Sequence, residues 1–497
     1  MKMYPSNYSN NFIWFKNSIV FENPKIVALL LLYMIYFSSF ALFIFGLISS
    51  DPIINNGEFD IALSAISLTI FIFLLTVGCL NRAYYFFCLP LVVLIVPNAI
   101  NDLLPSFWAG PISDRGVASV SLLTHIDLFL LVGVFLFARN EHHSRQFFYK
   151  LSNFLIFICL LISLTSIIWW SIASSFIEHN ALLFFGNSFQ IRYLLYVSLF
   201  LRFVYKKDLL HFFWGLFIGI GFLIFEALIY SFLNESEELT SGNFGTNTLG
   251  VLLGFLLIYI SSIKECSYYI KGLLSLFILA AIFLSGTRIA MIALLLSFGF
   301  SSLILRYGML KLGVFLSIIV VLVLLYYWKL LVPFVDPFLL LIETDYAFVA
   351  SQDLAGGSFS SLMTRLSLWL SSLDIIIEFP FGVGLSQFNF LKASYGFSLP
   401  IFIDPHNDYL NFIVQYGIFN GLIFIFLLYV YPLYLRFTNG VDVPRNVLIK
   451  LIFFIWITSL TNSNFNKHQF FFMTVFIIFV AINNRIDSAH KIPKAIT

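Results

Sequence analysis

The sequence predicts an all-α polytopic membrane protein with about 12–14 transmembrane helices and one large external loop containing amphipathic helices. Three observations predict it. Of the 497 residues, 60% are hydrophobic and only 10% charged, too few charges to cover a water-exposed surface. Apolar runs of the ~20 residues needed to cross a bilayer recur along the chain. Lys and Arg gather on alternate inter-span segments, as the positive-inside rule requires.

In order, spans are predicted at roughly 26–48, 61–80, 83–101, 119–138, 151–177, 188–204, 209–233, 246–263, 268–285, 288–305, 309–327, 409–434, 446–462 and 469–483. Met1 to Pro24 shows no cleavable signal-peptide pattern. Most of the 27 basic residues then fall on one side, among them Arg82, Arg145, Lys150, Arg202, Lys206, Lys207, Arg436 and Lys450. That side and both termini are assigned to the cytoplasm. Seven basic residues stay outside: Arg115, Arg192, Arg288, Lys329, Arg365, Lys392 and Lys467. The chain divides into N-terminal spans 1–184, central spans 185–328, the large loop 329–408 and C-terminal spans 409–497. No internal repeat is evident, against transporter folds built from matched halves.

The four cysteines avoid the large loop and have no metal-site spacing, so neither structural disulfides nor a metal is expected. No Walker loop, dinucleotide glycine motif, zinc motif or haem motif is present, and no cofactor is expected. A net charge of +2 gives no sign of a nucleic-acid partner. Activated nucleotides are not supplied outside the cytoplasm, so an external enzyme needs a substrate that arrives activated. A polyprenyl diphosphate brings its own leaving group.

Each off-side charge needs a reason. Arg288 stands in the turn Leu284-Ser-Gly-Thr-Arg-Ile-Ala290, at the start of an apolar helix. It reads either as a snorkelling anchor, the commoner role of an isolated arginine, or as a guanidinium that grips phosphate through paired hydrogen bonds. Arg365 lies in Ser361–Phe379, whose apolar residues at helical spacing predict an amphipathic helix along the outer membrane face. It would meet either a lipid headgroup or a lipid-linked phosphate. Arg192 begins a span from the outside, as an interfacial anchor or a phosphate ligand.

His406 lies between Asp404 and Asp408. A histidine flanked by carboxylates suits general-base work near neutral pH; the structural alternative is a helix cap with Asn407 and Asp408. Gly417 and Gly421 read as a small-xxx-small pair for close helix packing. Asp127, beside His125, and Glu226 fall within predicted spans, neither clearly near the outer mouth, as functional carboxylates or as protonated or paired ones.

Taken together, Ser285-Gly-Thr-Arg288, Arg365 with Trp369, Pro380-Phe-Gly-Val-Gly-Leu-Ser-Gln-Phe388, and Pro405-His-Asn-Asp-Tyr-Leu410 followed by Gly417 and Gly421 resemble the O-antigen ligase/polymerase superfamily. Gly242-Asn-Phe-Gly-Thr-Asn-Thr-Leu-Gly250 is similar to the family segment before the Ser-x-x-Arg helix, and the resemblance covers about residues 185–435. It implies a metal-independent, GT-C-type glycosyltransferase in the bacterial inner membrane, with its active site facing the periplasm. The implied donor is an undecaprenyl-diphosphate-linked oligosaccharide. The implied acceptor is a second lipid-linked repeat for a polymerase, lipid A–core for a ligase, or protein Ser/Thr in a third branch. Membrane lipids and a chain-length co-polymerase are the other expected partners.

By the same resemblance, Arg288 binds the diphosphate, His406 is the catalytic histidine with Asp404 or Asp408 orienting it, and Arg192 and Arg365 assist the arginine anchor. Polymerase is the favoured reading. The competing class is a lipid-linked oligosaccharide flippase, for which short loops and a basic central cavity are expected.

Overall fold

The structure, a computed structural model, describes residues 56–96, 106–108, 119–121, 123–137, 146–173, 189–233, 238–239, 244–261, 268–307, 358–384, 388–395, 404–438 and 446–483. The expected spans 26–48 and 309–327 lie outside the described residues.

The described residues are helical, as expected, with one small exception among them. Its helices are α1 (Asn56–Leu80), α2 (Arg82–Ile95), α3 (His125–Phe137), α4 (Gln146–Ala173), α5 (Phe189–Phe203), α6 (Lys206–Leu233), α7 (Thr246–Ser261), α8 (Tyr268–Leu284) and α9 (Arg288–Tyr307). They continue with α10 (Ser358–Glu378), α11 (Phe388–Leu391), α12 (Asp408–Ile425), α13 (Tyr431–Thr438), α14 (Asn446–Ser459) and α15 (His468–Asn483). The exception is an antiparallel ribbon of β1 (Ser106–Trp108) and β2 (Ser119–Ser121). It corrects the expected span 119–138. The start of that run pairs as a strand, and the helix begins at His125, where Thr124 and Asp127 form a reciprocal cap (Asp127 N–H to Thr124 Oγ1, 3.2 Å; Thr124 N–H to Asp127 Oδ2, 2.8 Å).

Among the described residues, three helical segments are, by length and composition, long and apolar enough to cross a membrane: Tyr149–Trp169, Asp208–Phe232 and Asp408–Leu435. Shorter apolar helices, including His125–Phe137, Thr246–Ser261, Val447–Ser459 and His468–Phe479, pack among them. Exposed Phe135, Phe232, Leu273, Phe283 and Leu295 give the bundle an apolar exterior suited to lipid. Its interior is aromatic: Tyr85, Phe86, Phe129, Phe200 and Phe212 are fully enclosed, with Tyr85 stacked on Phe129 at 4.6 Å.

The Asp408–Leu435 segment does not run straight. Gly417 has φ +82° and interrupts α12. In a straight helix Tyr409 and Tyr429 would stand about 30 Å apart; their rings are 5.1 Å apart. Phe412 likewise stacks on Phe424 at 5.1 Å. The chain therefore reverses at Gly417, and residues 408–416 fold back on the helix that follows. This short arm is about 13 Å long, under half of a ~30 Å hydrocarbon core.

The expected single span 409–434 is thus a helical hairpin with one long limb. Gly417 is needed for this reversal and for the approach of the Phe381 backbone, into which a Cβ would run. Gly421 lies against the backbone of Phe412 and Ile413 in the same hairpin. The two glycines thus serve an internal fold-back, not packing between separate helices.

The turn Pro380–Gly384 clasps the reversal. Val383 N–H donates to Val414 O (2.9 Å), Gly384 N–H to Gln415 O (3.1 Å), and Ile418 N–H to Pro380 O (2.8 Å). Trp169 on α4 donates its indole N–H to Gly382 O at 2.9 Å and packs on Phe381 at 4.3 Å. The amphipathic helix expected at 361–379 is α10. Its buried face (Leu368, Ile375, Ile376) meets Val383, Phe388 and Val414, so protein covers much of the stripe that was expected to lie on lipid.

Candidate functional site

Arg288 is placed by the turn before it. Gly286 takes φ +64°, a conformation only glycine adopts without strain. Buried Ser285 and Thr287 bridge their hydroxyls at 2.9 Å, and Thr287 donates to Thr246 O at 3.0 Å, tying the turn to α7. Leu239 N–H donates to Leu284 O at 2.9 Å, bringing the Glu238 side chain against Gly286. The Arg288 side chain is left exposed.

Arg82 meets Tyr205 and Asp208, so the end of α5 and the start of α6 share one end of the bundle. At the other end, the start of α5 meets Phe465 and His468, and Ser231, late in α6, donates to Glu238 O, beside Gly286. The start of α9, with Arg288, therefore lies at the same end of the bundle as the loop after α14. There Leu460 O accepts the Asn407 Nδ2 hydrogen bond at 3.0 Å, which brings the His406 turn to that end.

His406 has φ +50°, a left-handed backbone uncommon outside glycine. Asp404 supports it: its Oδ1 accepts the His406 N–H at 2.9 Å, an Asx-type turn. Asn407 then caps the short arm, its Oδ1 accepting from Tyr409 N–H (3.0 Å) and Leu410 N–H (3.1 Å). The sequence offered base and cap as alternatives for this motif. The structure divides them: Asn407 caps, and His406 stands half-buried beside it.

The two carboxylates also separate. Asp404 stays half-buried at the turn. Asp408 is fully enclosed and accepts the Phe465 N–H at 2.9 Å. It braces the loop after α14, and the orienting contact to the His406 backbone belongs to Asp404.

Charge converges on this turn. Burial lowers the His406 pKa, Asp404 opposes the shift, and the Arg365 charge adds to it. Burial also lowers Arg365, which remains a cation at any working pH. Lys392, 2% exposed, is lowered to about 8 by burial, against a raising effect from Asp404. Lys392 thus joins the group with no role assigned from sequence; its only signal was a positive charge on the outer side.

Arg192, in the first turn of α5, is gripped by Asp127 through Nε to Oδ1 (3.2 Å) and Nη2 to Oδ2 (3.0 Å). Tyr193 bridges Thr124 Oγ1 (2.8 Å) and His468 Nδ1 (3.2 Å). Asp127 is therefore the buried partner of Arg192 at the same end of the bundle, the paired carboxylate of the two readings the sequence offered. Glu226 sits far along α6. Loop Leu460–Lys467 links the parts, since Asn466 donates to Asp404 Oδ2 at 3.1 Å and Gln190 to Phe465 O at 3.4 Å. No cluster able to hold a metal occurs among the described residues.

The fold and this end of the bundle define a helical membrane protein with cationic groups and the half-buried His406 at one end. Residues 273–425 match the family model described as O-Antigen ligase. That segment spans α9, α10 and the His406 turn, less than a third of the chain, and the match supports the O-antigen ligase/polymerase superfamily, whose members are glycosyltransferase-like enzymes. No curated protein matches the chain.

Proposed function

We propose that this protein is a periplasm-facing, inverting glycosyltransferase of the inner membrane that polymerises undecaprenyl-diphosphate-linked repeat units. The observation that carries the reading is that the Arg288 turn, Arg192 and the His406–Asp404 turn meet at one end of an apolar bundle, two of the three inside the family-matched segment. His406 accepts the proton of the acceptor hydroxyl while that oxygen bonds to the anomeric carbon. The bond to the diphosphate oxygen breaks on the opposite face. Arg288, with Arg365 and Arg192, meets the negative charge that builds on the leaving group. Asp404 fixes the backbone that presents His406. The lipid tails lie along the apolar exterior.

The description of the matching family favours a second reading, ligation of the glycan to lipid A–core. Purified protein given the lipid-linked repeat unit alone, and then with lipid A–core, separates them. Chain growth on donor alone supports the polymerase. Product that requires core supports the ligase and removes the polymerase. Absence of both products from folded protein removes the glycosyltransferase. His406→Ala and Arg288→Ala are each expected to lower product formation by roughly 100-fold or more with expression retained. Wild-type turnover in either variant overturns its role.

A further inference from the structure

Six buried side-chain atoms without a hydrogen-bond partner lie around one loop: Thr461 Oγ1, Asn462 Nδ2, Ser463 Oγ, both amide atoms of Asn464, and Gln415 Oε1; the neighbouring Asp408 carboxylate is held by Ser459 and by the Phe465 and Asn464 backbone. Buried polar atoms are nearly always paired, so such a concentration calls for a physical cause. The loop is firmly anchored. Phe465 is fully buried against Phe412, Phe470 and Phe471; its N–H binds Asp408, its carbonyl binds Gln190, and Asn466 binds Asp404. The unpaired groups flank this plug. They lie close to the His406 turn, because Asp404 accepts both the Asn466 side chain and the His406 N–H. The loop lies beyond the family-matched segment, which ends at residue 425.

We infer that Thr461–Asn464, with Gln415, forms a recognition subsite for a sugar ring of the glycan substrate. The chemistry selects the ligand. The set offers amide donors, amide acceptors, and hydroxyls that act as either. Vicinal sugar hydroxyls donate and accept together and match both kinds. A phosphate only accepts; it would leave Asn464 Oδ1 and Gln415 Oε1 unmatched and would face Asp408. Asn462 and Asn464 are 4% and 1% exposed, Thr461 and Ser463 are half-buried, and Lys467 is exposed.

This inference rests on the glycosyltransferase reading, and the test separates the two. Full-length protein in nanodiscs is titrated with undecaprenyl diphosphate and with the same lipid bearing its oligosaccharide. Wild type is expected to prefer the glycosylated lipid by at least ~10-fold, because a site built for hydroxyls discriminates against ligands lacking them. Asn462→Ala and the milder Thr461→Val/Ser463→Ala pair are expected to bring that ratio toward one and leave binding of the sugar-free lipid unchanged. Michaelis constants for donor and acceptor, measured separately, assign the subsite to whichever glycan loses affinity. An unchanged sugar preference in variants with altered melting temperature means an internal hydrated cluster and overturns the inference alone. Wild type that binds neither lipid overturns the enzyme reading, and the inference with it.

Discussion

His406 reaches the mouth through a backbone conformation that ordinary residues avoid, and such local strain is typically stored where geometry matters. Its electrostatics suit a base. Burial and the Arg365 charge both disfavour the imidazolium, and only Asp404 favours it. The neutral ring therefore persists below the ordinary histidine value of ~6.5. The acid limb of log(kcat/KM) against pH is expected to have its midpoint below that value. Arg365→Gln, which removes a cation, is expected to move the midpoint up, and Asp404→Asn to move it down. Shifts of opposite sign, read from pH–rate profiles, would remove the base assignment. Arg192 behaves differently: Asp127 already satisfies one edge of its guanidinium, so its orientation is set before any ligand arrives.

At the scale of elements, the decisive unit is the hairpin at Gly417 with its clasp from Pro380–Gly384. Both Gly417 (φ +82°) and Gly382 (φ +92°) are in the left-handed region, and a Cβ on either would run into the other's strand. Gly417→Ala and Gly382→Ala are each expected to destabilise the fold by more than the ~1 kcal/mol of an ordinary glycine replacement. A lowered melting temperature in detergent checks this; unchanged melting would mean the reversal is not held by these contacts.

Much here was legible in the sequence. The Ser-Gly-Thr-Arg turn, the α10 periodicity and the Asn407 cap follow from local chemistry. The reversal was not, because a hydropathy pattern records apolar content and carries no sign of direction when one glycine turns the chain. Nor was the Asp127–Arg192 pair, whose partners are 65 positions apart. Of the Thr461–Lys467 loop the sequence singled out only the outer-side charge of Lys467, and Thr461 and Asn462 fell inside the predicted span 446–462.

For the whole molecule, the topology read from charge gives a test of its own. At the end opposite the mouth, Arg82 pairs with Asp208 at 2.7 Å and lies 4.4 Å from the Tyr205 ring, and Arg202 binds Asn153 at 2.7 Å. The positive-inside rule assigns that end to the cytoplasm. In a background lacking Cys79, Cys88, Cys159 and Cys266, Lys467→Cys is expected to react with a membrane-impermeant maleimide added outside spheroplasts. Lys150→Cys, exposed toward the other end, is expected to react only after permeabilisation. The reverse labelling pattern would invert the topology and remove a periplasmic site.

The short arm of the hairpin acts mechanically as a strut pinned at both tips. One tip is Asn407, held by Leu460; the other is Gly417, held by the clasp. Its length fixes the reach of His406, so Trp169 and Phe381, about 13 Å away along the arm, set the position of the imidazole without approaching it. Loosening that far anchor would detune the reaction in the manner of a shifted fulcrum, with the chemical groups all still present.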